Sequence, residues 1–257
     1  AFSSFKKHDV TINMNPAKSN DKENLSSKQG PRLEKESDAK ETRARKRISR
    51  KRRTIVKIAM DFLGCHDLDQ LTLDVIAEEM GLTKNALYHY YNGKHAILVG
   101  IATELYRELV KRFQRVKMKG QTGLENIKSM GRAFWNFAQR YPYFHDVFTA
   151  VDLNDEGMQD QQKNDDGKSK DPLGLPSLLK KQQTFVRIWQ QAVKDGIDDG
   201  SIRRDLSAPV IALLLGSMTS GLISELGHIT EIVRSLNLEP DSIYEIALGI
   251  LERGLQS

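Results

Sequence analysis

Between Thr72 and Tyr91 the chain sets two short apolar-faced stretches on either side of Gly81-Leu82-Thr83. This joint limits the possible folds more than any other feature. Thr72 is a good N-cap, Asp74 stands in the first turn where a carboxylate complements the helix dipole, and Val75, Ile76, Ala77 and Met80 give an apolar face. Gly81 stands where a helix needs a left-handed residue to stop. Leu82 is an apolar plug, and Thr83 can cap a second helix over Lys84–Tyr91. Two short helices joined in this way make a helix-turn-helix. In the second helix Leu87 and Tyr91 lie four apart and face inward, while Lys84 with Tyr88, and Asn85 with His89, share an outward face. A cation, an amide, a phenol and an imidazole all hydrogen-bond base edges and phosphates.

The charge distribution supports the same reading. Residues 1–53 hold 16 Lys+Arg against 7 Asp+Glu, out of 39 and 34 in the whole chain, so a basic segment precedes a mildly acidic body. Eight of the eleven residues from Arg43 to Arg53 are basic, and they run into Ile55, Ile58, Ala59, Phe62 and Leu63 at helical spacing. Cations near a helix N-terminus oppose the macrodipole, so helix stability alone does not place them there. A solvated charge run or an import patch is the plain alternative to nucleic-acid contact, but the asymmetry points to a polyanion partner near the N-terminus. Upstream, Ala17–Lys40 mixes Lys, Ser, Glu and Asn with isolated apolar residues, so residues 1–42 are expected to be disordered.

Composition excludes several classes. With 39% apolar and 28% charged residues the chain reads as a soluble globular protein, not a membrane bundle or fibre. The longest apolar stretch, Ala208–Ile223, is interrupted by Gly216, Ser217, Thr219, Ser220 and Gly221 and falls short of the roughly 20 apolar residues of a spanning helix. The single cysteine, Cys65, excludes an internal disulfide framework, and no apolar leader lies near Ala1; a cytoplasmic protein with no membrane partner is expected. Cys65 itself is expected to be a half-buried thiol. The six histidines lack metal-ligand spacing. Gly167-Lys168-Ser169 mimics the end of a phosphate loop, but Gln162 stands where the first glycine is needed. No catalytic constellation, cofactor site or metal site is expected, and the chain is read as a non-enzyme.

The segment TLDVIAEEMGLTKNALYHYYNGKHAIL, Thr72–Leu98, resembles the DNA-binding region of TetR-family transcriptional regulators. Ile76-Ala77, Gly81, the Leu87-Tyr88 pair, the aromatic Tyr91 and Lys94 followed by apolar residues carry the resemblance. Arg50–Leu71 fits the family's first helix, so the similarity covers about residues 45–100. Asn85 departs from the family's usual small residue, Tyr91 from a frequent Phe, and His95 from a frequent Glu. The resemblance implies an all-α chain: a three-helix, helix-turn-helix DNA-binding domain with a basic arm over residues 43–96, then a helical ligand-binding and dimerisation domain over residues 97–257. It implies a sequence-specific regulator, most often a repressor, acting as a homodimer on a near-palindromic operator in double-stranded DNA. An unknown, small and hydrophobic effector would release it. An all-helical enzyme or carrier, whose basic tail binds acidic partners nonspecifically, needs a catalytic constellation. A constitutive architectural DNA binder needs no pocket.

Expected DNA contacts are Arg45, Arg47 and Arg50 on the arm, Lys84, Asn85, Tyr88 and His89 at the bases, and Thr72, Thr83, Tyr90 and Lys94 at phosphates. Further helices are expected over Lys94–Lys119, Gly123–Arg140, Leu175–Lys194, from Ser207, and over Pro240–Gly254, with a short aromatic segment at Tyr143–Leu153 and a polar loop at Asn154–Asp171. Phe134, Phe137, Phe148, Phe185 and Trp189 are candidate walls of an apolar effector cavity, although ordinary core gives the same pattern. Leu213, Leu214, Leu222, Ile246 and Ile250, on Ser207–Glu225 and Pro240–Gly254, are the candidate dimer seam.

Overall fold

A computed structural model describes residues 30–116, 120–151 and 173–256, and the chain divides between Arg45 and Lys46 into two units. The described part of the first unit, residues 30–45, lies within helix α1, Gly30–Leu63. The helix therefore begins inside the segment expected to be disordered, and the boundary expected at residue 43 falls within it. Glu, Lys, Arg and Ala dominate that stretch and are strong helix formers even without an apolar face. The disorder expected over residues 1–29 and the polar loop expected over 154–171 lie outside the described residues.

The second unit continues α1 from Lys46 and adds α2 (Leu73–Glu79), α3 (Lys84–Tyr88), α4 (Lys94–Val116), α5 (Gly123–Arg140), α6 (Phe144–Ala150), α7 (Leu175–Asp198), α8 (Ala208–His228), α9 (Thr230–Ser235) and α10 (Pro240–Leu255). Among the described residues there is no strand. Ile97, Ile101, Leu105, Leu109 and Phe113 recur at helical steps along α4 and are all fully buried. Cys65 is exposed rather than half-buried, because α1 ends at Leu63 and the chain turns away at Gly64.

Helix α5 is fixed at its start and along its length. Thr122 and Glu125 form a capping box at its start. Asp199 and Ser201, just past α7, satisfy two more of its first N–H groups: Gly123 N donates to Asp199 Oδ2 at 2.7 Å and Leu124 N to Ser201 Oγ at 3.2 Å. The Ser201 hydroxyl and the backbone N–H groups hold the Asp199 carboxyl below its ordinary pKa. The helices meet backbone to backbone there, since a Cβ on Gly123 would collide with Gly196 N and Cα. Against α10, the buried Tyr244 hydroxyl donates to Gly131 O at 2.8 Å, and its ring stacks on Trp135 at 4.7 Å. Arg132–Glu245 and Lys128–Glu252 ion pairs flank that seam.

Helix α8 runs 21 residues at a mean hydropathy of 1.6, so by length and composition alone it could cross a membrane. That extends past the sequence expectation, which stopped at Ile223. In this fold Ile211, Ala212, Leu215, Thr219, Ile223 and Leu226 are buried on one face, as in a core helix. The Gly123 crossing yields a direct test. Gly123→Ala is expected to destabilise the chain by about 3 kcal/mol, the upper end of overpacking costs, read as a lower urea midpoint with unchanged slope.

Candidate nucleic-acid interface

The joint is built by backbone hydrogen bonds that its residue types allow. Thr72 Oγ1 accepts from Val75 N at 3.2 Å, and Thr83 Oγ1 from Ala86 N at 3.2 Å. At the end of α2, Gly81 N donates to Glu78 O at 2.9 Å and Leu82 N to Ala77 O at 2.8 Å, a Schellman closure with Gly81 at φ 61°. Helix α3 stops at Tyr88, three residues earlier than expected, because the chain tightens: Tyr90 N and Tyr91 N both donate to Leu87 O, at 2.9 and 3.1 Å. Leu87 and Tyr91 are buried, while Lys84, Asn85, Tyr88 and His89 are exposed, with 47% of Tyr88 open to solvent.

Helix α1 holds this unit from behind. Arg52 Nε donates to Tyr90 O at 2.7 Å, its guanidinium lies 5.1 Å from the Tyr91 ring centroid, and the Tyr91 hydroxyl donates back to Arg52 O at 3.4 Å. Arg52 is thus a positioning residue that its place among eight basic residues did not single out. Lys94 Nζ donates to Leu68 O at 2.7 Å, tying the start of α4 to the turn before α2 and committing one of the three protons expected for phosphate. Tyr90, also expected at phosphate, is half-buried against the core. Thr72 and Thr83 are exposed with their hydroxyls engaged as caps. Lys84 pairs with Asp74 at 2.7 Å, and that carboxylate raises the ammonium pKa. Both partners are exposed, so the pair is weak and readily exchanged for a phosphate. Arg47 and Arg50 are exposed on α1, and Arg45, the last residue of the first unit, is exposed as well.

Residues 55–101 match the family model described as bacterial regulatory proteins, tetR family. The chain carries a TetR-family DNA-binding domain. No curated protein matches the chain. Among solved structures, a protein of unknown function from Rhodococcus sp. RHA1 aligns with TM-score 0.59 at 17% identity, over 80% of this chain and 95% of that one. A transcriptional regulator of the TetR/AcrR family from Thermobifida fusca aligns with TM-score 0.56 at 19% identity, over 80% and 99%. The regulator FadR from Bacillus subtilis, in complex with stearoyl-CoA, aligns with TM-score 0.56 at 13% identity, over 79% and 98%. At these identities the likeness is one of fold, and it extends from the TetR-family domain through the C-terminal helices.

The other candidate residues fall in two places. Phe134, Phe137, Phe148, Phe185 and Trp189 belong to one ring cluster completed by Tyr106, Phe113 and Phe144, with Phe113 lying 5.5 Å from Phe185 and 5.4 Å from Trp189. The rings pack on one another, and an opening beside Tyr106 and Phe148 holds about 30 Å³, enough for a water. A larger cleft of about 370 Å³ lies elsewhere, where α5, α6, α8 and α9 converge, and borders none of the five. Leu213, Leu214, Ile246 and Ile250 are exposed on α8 and α10, and Leu222 is half-buried beside them. Gly81 provides the test of the joint. Gly81→Ala is expected to cost about 1–2 kcal/mol in urea denaturation because it forces a side chain into the left-handed region, whereas Gly81→Asn should recover most of the loss.

Proposed function

We propose that this chain is a ligand-responsive transcriptional regulator, cytoplasmic, and most simply a repressor. As a homodimer it sets two copies of α3 into successive major grooves of a near-palindromic operator. The observation that carries this reading is the exposed face of Lys84, Asn85, Tyr88 and His89 on a helix whose other face is locked by Leu87, Tyr91 and Arg52. A rigid scaffold with an exposed set of donors and acceptors is what base reading requires. Arg47 and Arg50 add the phosphate charge that steers and holds a duplex.

An apolar surface supports the dimer. Leu213 is 70% exposed, Met218 55% and Ile250 56%, and a Cβ added at Gly216, Gly221 or Gly249 would meet nothing within 4 Å. Contiguous exposed apolar side chains with small residues between them suit close approach of a second copy across a two-fold axis. Response to a small molecule is supported by the 370 Å³ cleft and by the fold-alike FadR, which is described with stearoyl-CoA bound.

Selection of bound sequences from random duplex DNA should return a near-palindrome. Lys84→Ala with Tyr88→Phe should then weaken binding to it by about 1–3 kcal/mol for each base interaction removed and relax specificity at the positions they read. Unchanged operator affinity in that double variant would remove α3 as the reading element. Separately, Leu214→Arg is expected to sediment as a monomer in analytical ultracentrifugation. A dimer that persists would place the seam elsewhere.

A further inference from the structure

We propose that the cleft where α5, α6, α8 and α9 converge binds a small amphipathic carboxylate, and that it is the effector site. This rests on the regulator reading above and replaces the aromatic interior as the place where the ligand acts. At about 370 Å³ the cleft is within the ~300–1,000 Å³ range of small-molecule sites, whereas the opening beside Tyr106 and Phe148 is of the order of a water.

Its walls divide by chemistry. Trp135, Phe144, Ile223 and Leu226 supply apolar surface for a hydrocarbon or aromatic body. The Trp135 indole N–H is already committed to Asp241 Oδ1 at 2.7 Å, so it is not a free donor in the wall. The ionisable groups in the wall are Arg234, His145, His228 and Asp146. Three of the four present N–H donors. The Arg234 guanidinium makes no hydrogen bond or ion pair among the described residues, and His228 donates Nδ1 to Ser224 O at 2.8 Å, which leaves Nε2 as its remaining ring nitrogen. An unpaired guanidinium beside an apolar floor is suited to a carboxylate on a short apolar body, since a planar fork matches a carboxylate bidentately.

The cleft also borders α6, which packs on α4, the helix that begins at Lys94 beside the helix-turn-helix, with Phe148 stacked on Tyr106 at 4.4 Å. Pro142, Phe144, His145 and Asp146 line it, and between them stands Tyr143, buried in the core. Burial raises the Tyr143 phenol pKa most, with further contributions from Tyr141 and from Asp61 in the last turn of α1. A ligand that displaces this segment shifts α6 against α4, and so bears on the helix whose first turn is tied to Leu68 by Lys94. To regulate, it must bind the displaced arrangement better than the operator-ready one.

The test uses the full-length chain, 4-(trifluoromethyl)phenylacetate followed by fluorine NMR, and the duplex recovered by selection. Two variants separate site from fold. Arg234→Gln removes the cation from an exposed position, and Gly227→Phe plugs the cleft from a position where an added Cβ meets nothing within 4 Å. The acid is expected to bind the native chain and to weaken its hold on the duplex. Its affinity should fall on the order of tenfold in Arg234→Gln, and its binding should vanish in Gly227→Phe without a fall in Tm. The corresponding primary amide and phenethylamine should bind more weakly than the acid. Absence of binding, binding unaffected by both variants, an amide or amine that binds as well, or binding that leaves duplex affinity unchanged would each overturn the proposal. A chain that selects a duplex but ignores the acid loses this site and keeps the regulator reading. A chain that selects no duplex loses that reading, while the acid and the two variants still decide whether the cleft binds a carboxylate.

Discussion

The C-terminal part of the second unit depends on how closely α5 approaches its neighbours. At Gly123 the backbone of α5 lies against the backbone of α7 at Gly196, and at Gly131 a Cβ would lie 2.8 Å from Leu248 of α10. At Gly123 the obstacle is backbone and no side chain can be accommodated, whereas at Gly131 it is the movable end of Leu248. Main-chain contact therefore sets the α5–α7 crossing, and side-chain packing the α5–α10 one. The Asp199 and Ser201 caps and the Tyr244–Gly131 hydrogen bond then fix the position of α5 along its axis. With α5 so placed, Trp135 and Asp241 meet, and its C-terminal end delivers the Tyr141–Asp146 segment to one wall of the cleft.

At the other end, the exposed face of α3 is only as well defined as the contacts behind it. A five-residue helix has too few hydrogen bonds of its own to persist. Its geometry comes from the two threonine caps, the Schellman closure at Gly81 and the reciprocal contacts of Arg52 with Tyr90 and Tyr91. The same domain keeps a carboxylate, Asp74, against the cation that opens α3. A duplex that contacts Lys84, as proposed, exchanges that partner for its own oxygens, which offsets a small part of the gain from charge.

Much of this was legible in the sequence because it is local. Caps, a left-handed glycine and helical spacing act within a few residues, and the expected bounds of α5, Gly123–Arg140, coincide with the observed ones. What was missed depends on distant partners. Helix α7 continues past Lys194 to Asp198 through Asp195 and Gly196, residues that read as a stop, because Gly196 is needed where α5 crosses. The early end of α3 comes instead from a local tightening onto Leu87 O, which apolar spacing up to Tyr91 does not show. The tie from Lys94 to Leu68 O, 26 residues away, is not visible in spacing either. The 370 Å³ cleft was invisible for the same reason, since its walls come from segments far apart in the chain. The five aromatics share one cluster, but spacing cannot distinguish rings that wall a cavity from rings that fill one.

The unused glycines on the outer helices have a thermodynamic consequence. Gly216, Gly221 and Gly249 lie within α8 and α10 and relieve no crowding in the described fold, yet each weakens its helix by about 0.5–1 kcal/mol relative to alanine. The same two helices hold Leu213, Met218 and Ile250 in water. Under the proposed dimer, covering that outer face stabilises both helices at once. A chain whose covering is another copy of itself has no melting temperature of its own, only one that rises with its concentration.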